Sequence, residues 1–421
     1  MASFLRDARR PGHDMAAPTA TSRVVGWWLL VLCAMVVVMV LLGGYTRLTH
    51  SGLSMVRWHP QTLLPPTSES AWQAAFDDYR RYPEYAKINS GMDLAGFKEI
   101  YWPEYIHRVW GRLIAFVLVV PFLWFLVRGA IARPMRWRIA GVIVLGGLQG
   151  VIGWLMVSSG MVDRPDVSHY RLALHLLAAF AIYAWMLWLA LGILLAAGPE
   201  PGVPRAASSN VRRLVGAVGV MTVATATWGA FTAGLDAGFI FNRFPLMGDR
   251  PWPNSLGPGS PILAALEQPG VVQFVHRVLA TTTLVLALWL AVRAWRSGLP
   301  ARLVRVVLLV PAATLLQFVL GVSTLLLVVP TGLGVVHQAG ALVLLTAVIT
   351  ALAVLHEPRA EARAERRIRP FRFPRNRLVS TVDLSAPAHR AQGAPHVRFR
   401  RLRDHRLRRQ SARSARPRGR R

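Results

Sequence analysis

The stretch Glu104-Tyr105-Ile106-His107-Arg108-Val109-Trp110-Gly111-Arg112 decides how this chain is read. It opens an apolar run that continues from Ile114 to Val127, long enough to cross a bilayer as a helix. A histidine therefore stands just inside a membrane-length helix, three residues after a carboxylate. Ionisable groups at membrane depth are costly, so they mark function by default. The pattern returns at Val271-Val272-Gln273-Phe274-Val275-His276-Arg277, and two lone histidines, His175 and His337, open other apolar runs.

The rest of the chain agrees with a membrane setting. Of its 421 residues, 53% are hydrophobic and 16% charged, where a soluble domain carries about 25% charged residues. Eight apolar spans are expected, at roughly 24–44, 106–128, 138–158, 171–197, 211–234, 271–295, 303–328 and 332–355. Each needs about 20 residues, at ~1.5 Å rise, to cross a hydrocarbon layer ~30 Å thick. The net charge of +29 is concentrated in the C-terminal tail and in short loops between spans. That distribution marks topology and a tail near anionic membrane lipid, and argues against a specific nucleic-acid partner. The single cysteine, Cys33, excludes an intrachain disulfide and Cys-x-x-Cys zinc, redox or haem-attachment motifs.

Arginine placement orients the spans. The N-terminus, the loops near 128–138, 198–213 and 293–305, and the tail are basic, whereas 159–170 and 329–335 are not. Under the positive-inside rule both termini are cytoplasmic. His107, His175, His276 and His337 then fall within the first turn or two of helices two, four, six and eight, near the outer face. The halves also resemble each other: Glu-Tyr-Ile-His-Arg matches Gln-Phe-Val-His-Arg, and Leu148-Gln149-Gly150-Val151-Ile152-Gly153 matches Leu316-Gln317-Phe318-Val319-Leu320-Gly321. The expected fold is an all-α polytopic membrane protein. Its eight transmembrane helices form two tandem four-helix bundles, related by a pseudo-two-fold axis along the membrane normal. The divisions are a cytoplasmic segment 1–23, an N-terminal bundle 24–200 with an outer loop 45–104, a C-terminal bundle 201–356, and a basic disordered tail 357–421. Within the outer loop, Ser68 to Phe76 carries a capping signal, with Trp72, Phe76 and Tyr79 on one helical face. Residues 235–270, rich in Pro and Gly, are expected to be irregular.

Imidazole is the commonest metal-binding side chain, and two histidines on facing helices can take both axial positions of a haem iron. Arg108, Arg112 and Arg277 lie beside or one turn from a histidine and are candidates to pair with haem propionates. Gly111, Gly340 and Ala341 would let a flat macrocycle approach the backbone. His50, His59 and His169 read as outer-loop residues. Glu104 shares a helical face with His107 and can accept a hydrogen bond, take a proton or stabilise positive charge. Its repeat counterpart, Gln273, cannot ionise, which points to one chemically active half and one spectator half.

These residues resemble the haem A synthase family, in its proteobacterial and mitochondrial form. The likeness covers about residues 25–355. It is carried by Gly43-Gly44-Tyr45-Thr46-Arg47-Leu48-Thr49-His50-Ser51-Gly52-Leu53-Ser54-Met55, by Asn89-Ser90-Gly91-Met92 to Phe97-Lys98, by the Glu104–Arg112 motif, and by Ala233-Gly234-Leu235-Asp236-Ala237-Gly238 through Asn242, Pro245 and Met247. The resemblance implies oxidation of a porphyrin methyl of haem O to a formyl group by successive hydroxylations, giving haem A for cytochrome oxidase. It implies a haem B cofactor on His276 and His337, a substrate haem associated with His107 and His175, and Glu104 as the catalytic carboxylate. The absence of an outer-loop cysteine pair places the chain in the cysteine-lacking branch. Implied partners are haem O, the haem O synthase that makes it, the cytochrome oxidase assembly route and an unknown electron donor, with a homo-oligomer left open. The implied location is a bacterial inner membrane with the haem sites towards the periplasm. The competing reading is a non-catalytic diheme electron-transfer protein of cytochrome b type, which explains the histidines but not Glu104.

Overall fold

The computed structural model describes residues 20–57, 64–162, 165–195, 205–253 and 260–356. The described elements are helical: α1 (Ala20–Leu48), α2 (Glu69–Tyr79), α3 (Pro83–Lys87), α4 (Leu94–Val127), α5 (Arg133–Ser158), α6 (His169–Leu194), α7 (Arg205–Gly234), α8 (Pro261–Glu267), α9 (Pro269–Trp295), α10 (Ala301–Leu326) and α11 (Thr331–Val354). Eight of them, α1, α4, α5, α6, α7, α9, α10 and α11, are long and apolar enough to cross a membrane. This is an integral membrane protein of all-α class. Large side chains such as Trp27, Phe116, Val127, Val144, Val285 and Trp289 are exposed on the spans, as expected where the outer solvent is hydrocarbon.

Two cores organise the spans. The first gathers Leu29, Leu32 and Val36 of α1, Leu118 and Phe122 of α4, Ile139 and Val142 of α5, and Tyr183, Met186 and Ala190 of α6. The second gathers Val211, Val215 and Val218 of α7, Ala287 and Leu290 of α9, Val307 and Val310 of α10, and Leu344, Val348 and Ala351 of α11. The two cores meet through α11, whose Leu342, Leu345 and Ile349 enter the first. Polar contacts cross the same seam. The Tyr183 hydroxyl lies 2.6 Å from Thr346 Oγ1, and Gln338 Nε2 donates to the Val40 carbonyl at 3.3 Å. Arg47 donates to the Ala233 carbonyl and pairs with Asp236 at 3.1 Å.

A cap of short helices packs on the first half. Ser68 caps α2 by accepting from Ala71 N, and Asp93 caps α4 by accepting from Gly96 N. Trp72, Phe76 and Tyr79 of α2 bury against Phe97 and Tyr101, as the helical face read from the sequence requires. Those last two residues lie in a segment expected to be loop. Helix α4 begins at Leu94 rather than near 106, and its 34 residues span about 51 Å, well beyond a bilayer core. The helix is therefore longer than a bilayer core needs, and its first three turns carry Lys98 and Glu99. Lys98, Glu99 and Pro103 hide this in the sequence by breaking the apolar run. Glu84 of α3 is buried in this cap, only 2% exposed. Burial pushes its carboxyl up to about 7, with the Tyr79 hydroxyl bond opposing the rise and the Asp166 charge adding to it.

Other boundaries move less. Helix α1 starts at Ala20, inside the expected N-terminal segment. The 235–270 region is irregular apart from a 3-10 turn at Ala237–Phe239 and α8. His169 is not a loop residue but the first residue of α6, buried against Phe231. His59, the first 19 residues and the tail from 357 lie outside the described residues.

Candidate functional site

Each of the four singled-out histidines is seated on a glycine of the preceding span. A Cβ added to Gly43 would lie 3.1 Å from His107 Nε2. A Cβ on Gly153 would lie 2.9 Å from Cε1 of His175, on Gly229 3.0 Å from Cε1 of His276, and on Gly321 2.8 Å from Cε1 of His337. Only glycine lets the imidazole rings come this close to the neighbouring backbone. The four seats hold matching positions in their helices. Gly43, Gly153, Gly229 and Gly321 each precede the last residue of their helix (Leu48, Ser158, Gly234, Leu326) by five. His175, His276 and His337 lie in the second turn of their helices. His107 lies further into α4, thirteen residues after Leu94, because that helix begins well before its apolar run. His107 and His175 are within electrostatic reach of each other, as are His276 and His337.

The rings are held from behind. His276 Nδ1 lies 3.0 Å from the Thr225 carbonyl. A carbonyl can only accept, so Nδ1 carries the proton and Nε2 keeps its lone pair for a metal. Gln149 Nε2 donates to the His175 carbonyl at 2.8 Å and lies 3.1 Å from its Nδ1. Gln317 Nε2 donates to the His337 carbonyl at 3.0 Å. The supporting residues share a spacing: Gln149, Thr225 and Gln317 each stand four before the glycine seat, one helical turn away.

Glu104 is buried, 5% exposed, and accepts from Arg108 Nε at 2.5 Å. It lies ten residues into α4. Arg108 also donates to the carbonyls of Met55 and Arg57. Arg277, its repeat counterpart, donates to the carbonyls of Phe241, Arg243 and Leu246, and Gln273 donates to Phe241 as well. Arg108 and Arg277 thus tie the loops at 55–57 and 241–246 to α4 and α9. Arg112 lies near Tyr101, Tyr105 and Arg108. Gly111 makes room for Met39 and Gly340 for Gln317, rather than for a macrocycle directly. Gly44, next to the His107 seat, makes room for Gln338, the neighbour of His337.

Two imidazoles per half suit an iron whose other ligands come from a macrocycle. The glycine seats, the Nε2 of His276 left free by its Nδ1 bond, and the unpartnered buried atoms Gln149 Oε1 and Gln317 Oε1 fit such a group. The family model for the COX15–CtaA cytochrome oxidase assembly proteins matches residues 26–349. This chain belongs to the COX15–CtaA family. A relative named haem A synthase from Rhodospirillum centenum is 47% identical over 336 residues, covering 79% of this chain and 88% of its own length. One of the same name from Paramagnetospirillum magneticum is 49% identical over 325 residues, 75% of this chain and 89% of the relative. The human haem A synthase COX15 is 41% identical over 329 residues, 76% of this chain and 80% of the relative. The resemblance read from the motifs is therefore the family found, in both its proteobacterial and mitochondrial members.

Within this COX15–CtaA chain, sequence reasoning missed the seats and their supports. The signal was present in Gln149-x-x-x-Gly153 and Gln317-x-x-x-Gly321, which were matched as a repeat without a role. Thr225-x-x-x-Gly229 shares the spacing but not the side chain, since there the backbone carbonyl does the holding.

Proposed function

We propose that this chain is a haem A synthase. It oxidises a porphyrin methyl of haem O to a formyl group by successive hydroxylations and supplies haem A for cytochrome oxidase. The observation that carries this is the contrast between the halves. A buried carboxylate, Glu104, stands one turn from His107, while an amide, Gln273, stands at the matching place beside His276. An electron carrier with two equivalent sites has no need of that difference.

The residues divide as follows. His276 and His337 would hold haem B, which supplies a redox centre when bound. His107 and His175 would hold the iron of the substrate haem, and Arg108, Arg112 and Arg277 are the candidates to pair with haem propionates. Each hydroxylation is a two-electron oxidation of the methyl carbon by an external oxidant such as dioxygen, with a hydroxyl replacing hydrogen, and the second gives a geminal diol that loses water to leave the formyl group. Positive charge develops at that carbon as it is oxidised. Glu104 offers a fixed carboxylate for it in a site shielded from bulk water, and Arg108 holds the carboxylate in place. Glu104 is 5% exposed, and Arg108 ties the 55–57 loop beside it. The arginine-rich loops support an inner-membrane orientation with both termini cytoplasmic and both sites towards the periplasm.

The test is expression alongside a haem O source, followed by pigment extraction and mass analysis. The parent protein is expected to yield haem A and hydroxylated haem O. The Glu104→Gln variant is expected to retain bound haem and yield no haem A. A full yield of haem A from that variant, or haem B alone from the parent, would overturn the assignment.

A further inference from the structure

The end of α1 that seats His107 is held from the other half of the molecule. The first core takes α1 side chains from Val25 to Val40 and, among the described residues, none beyond. Past Val40 come Gly43 and Gly44, which have no side chains to interlock with a neighbour. Within its own half this end receives the His107 ring on Gly43 and makes one long bond, from Thr46 Oγ1 to the Pro103 carbonyl at 3.4 Å. The other contacts come from α7 and α11. Arg47, one turn after Gly43, donates to the Ala233 carbonyl and pairs with Asp236 at 3.1 Å. Ala233 is itself one turn after Gly229, the seat of His276. Gln338, the neighbour of His337, lays its carboxamide along Gly44, where an added Cβ would meet Oε1 at 2.7 Å and Cδ at 3.3 Å. Its Nε2 donates to the Val40 carbonyl at 3.3 Å. Leu48 packs on Gly334, where a Cβ would lie 2.8 Å from Leu48 Cδ1.

We infer that Arg47 and Gln338 are positioning residues for the N-terminal site. By fixing the end of α1 from the C-terminal half, they place Gly43 and, through it, His107. One tie comes from the helix that seats His276 and the other from the helix that bears His337, so both members of the C-terminal pair stand beside an anchor of the N-terminal one. Interhelical polar contacts are a small part of the packing between spans. Their loss shifts the end of α1 and leaves both cores folded. The inference rests on the assignment of the substrate haem to His107 and His175.

The experiment uses the full chain purified from membranes after co-expression with a haem O source. The variants are Gln338→Ala, Arg47→Gln and Asp236→Asn, the last chosen because asparagine tolerates the left-handed φ of 49° at that position. The readouts are haem B and haem O per protein, the haem O dissociation rate, and the absorption and EPR signature of each pair. Each variant is expected to keep haem B at the parent level, to release haem O roughly 10-fold faster, and to change the N-terminal signature alone. Gly44→Ala crowds the Gln338 carboxamide and should reproduce the loss, while Gly44→Ala combined with Gln338→Ala should be no worse than Gln338→Ala alone. An unchanged N-terminal signature in Gln338→Ala or Arg47→Gln, equal loss of haem B and haem O, or additive losses in the double variant would overturn the inference. The His107→Ala control separates the two levels. Haem O retention unchanged in that variant removes the haem assignment itself. Haem O lost there but indifferent to Arg47 and Gln338 removes only this inference.

Discussion

At the scale of single residues, glycines decide where the histidines can stand. Gly321 and Gly150 lie in comparable apolar helices, yet a methyl group on the first would meet His337 at 2.8 Å and on the second would meet nothing within 4 Å. Gly321→Ala is therefore expected to displace His337 and strip most of the haem from the C-terminal site, measured as haem per protein. Gly150→Ala should leave haem content unchanged and stabilise the helix by up to about 1 kcal/mol, the usual gain over glycine. Equal haem content in the two variants would remove the seat from the argument. The histidines and Glu104 were legible in the sequence because an ionisable group in an apolar run has few bland explanations. Their seats were not, because glycine in a membrane helix serves many ends and nothing local says which neighbour it faces. The jobs of Arg108 and Arg277 were hidden for a similar reason: loop carbonyls leave no trace in side-chain pattern.

At the scale of elements, the eight spans followed from length and hydropathy, and α2 from its cap and its aromatic face. The outer start of α4 did not, because its turns are stabilised by packing on α2 rather than by an apolar run of their own. The cap these elements form carries a pH dependence. Glu84 has its carboxyl raised to about 7 from an ordinary 4.5, mainly by burial. The folded state thus holds this proton more tightly than the unfolded chain. Its contribution to stability is complete below pH 4.5 and is lost as pH rises through 7. Hydrogen exchange across Tyr79–Asn89 is expected to quicken between pH 5 and 8 beyond the intrinsic rate, and Glu84→Gln should flatten that excess. An excess that persists in the variant would assign the effect to another group.

At the scale of the molecule, each half has its own core and its own pair of histidines, and α11 joins the cores through opposite faces. Apolar packing of α1 and α6 on α7 and α11 is the kind of contact that holds membrane helices together without a covalent link. Co-expressed fragments 1–200 and 201–421 are expected to copurify from detergent through a tag on either one, and to retain haem. Fragments that part company would mean that the connecting chain, not the seam, keeps the halves together.

The doublet Gly43-Gly44 has a consequence for that seam. One glycine answers to His107 and its neighbour to Gln338, beside His337. A slip of α1 by a single position would turn it about 100° and slide it ~1.5 Å, delivering each glycine to the wrong recipient. Neither histidine pair can retune this helix privately: any change of its phase is felt on both sides of the seam at once.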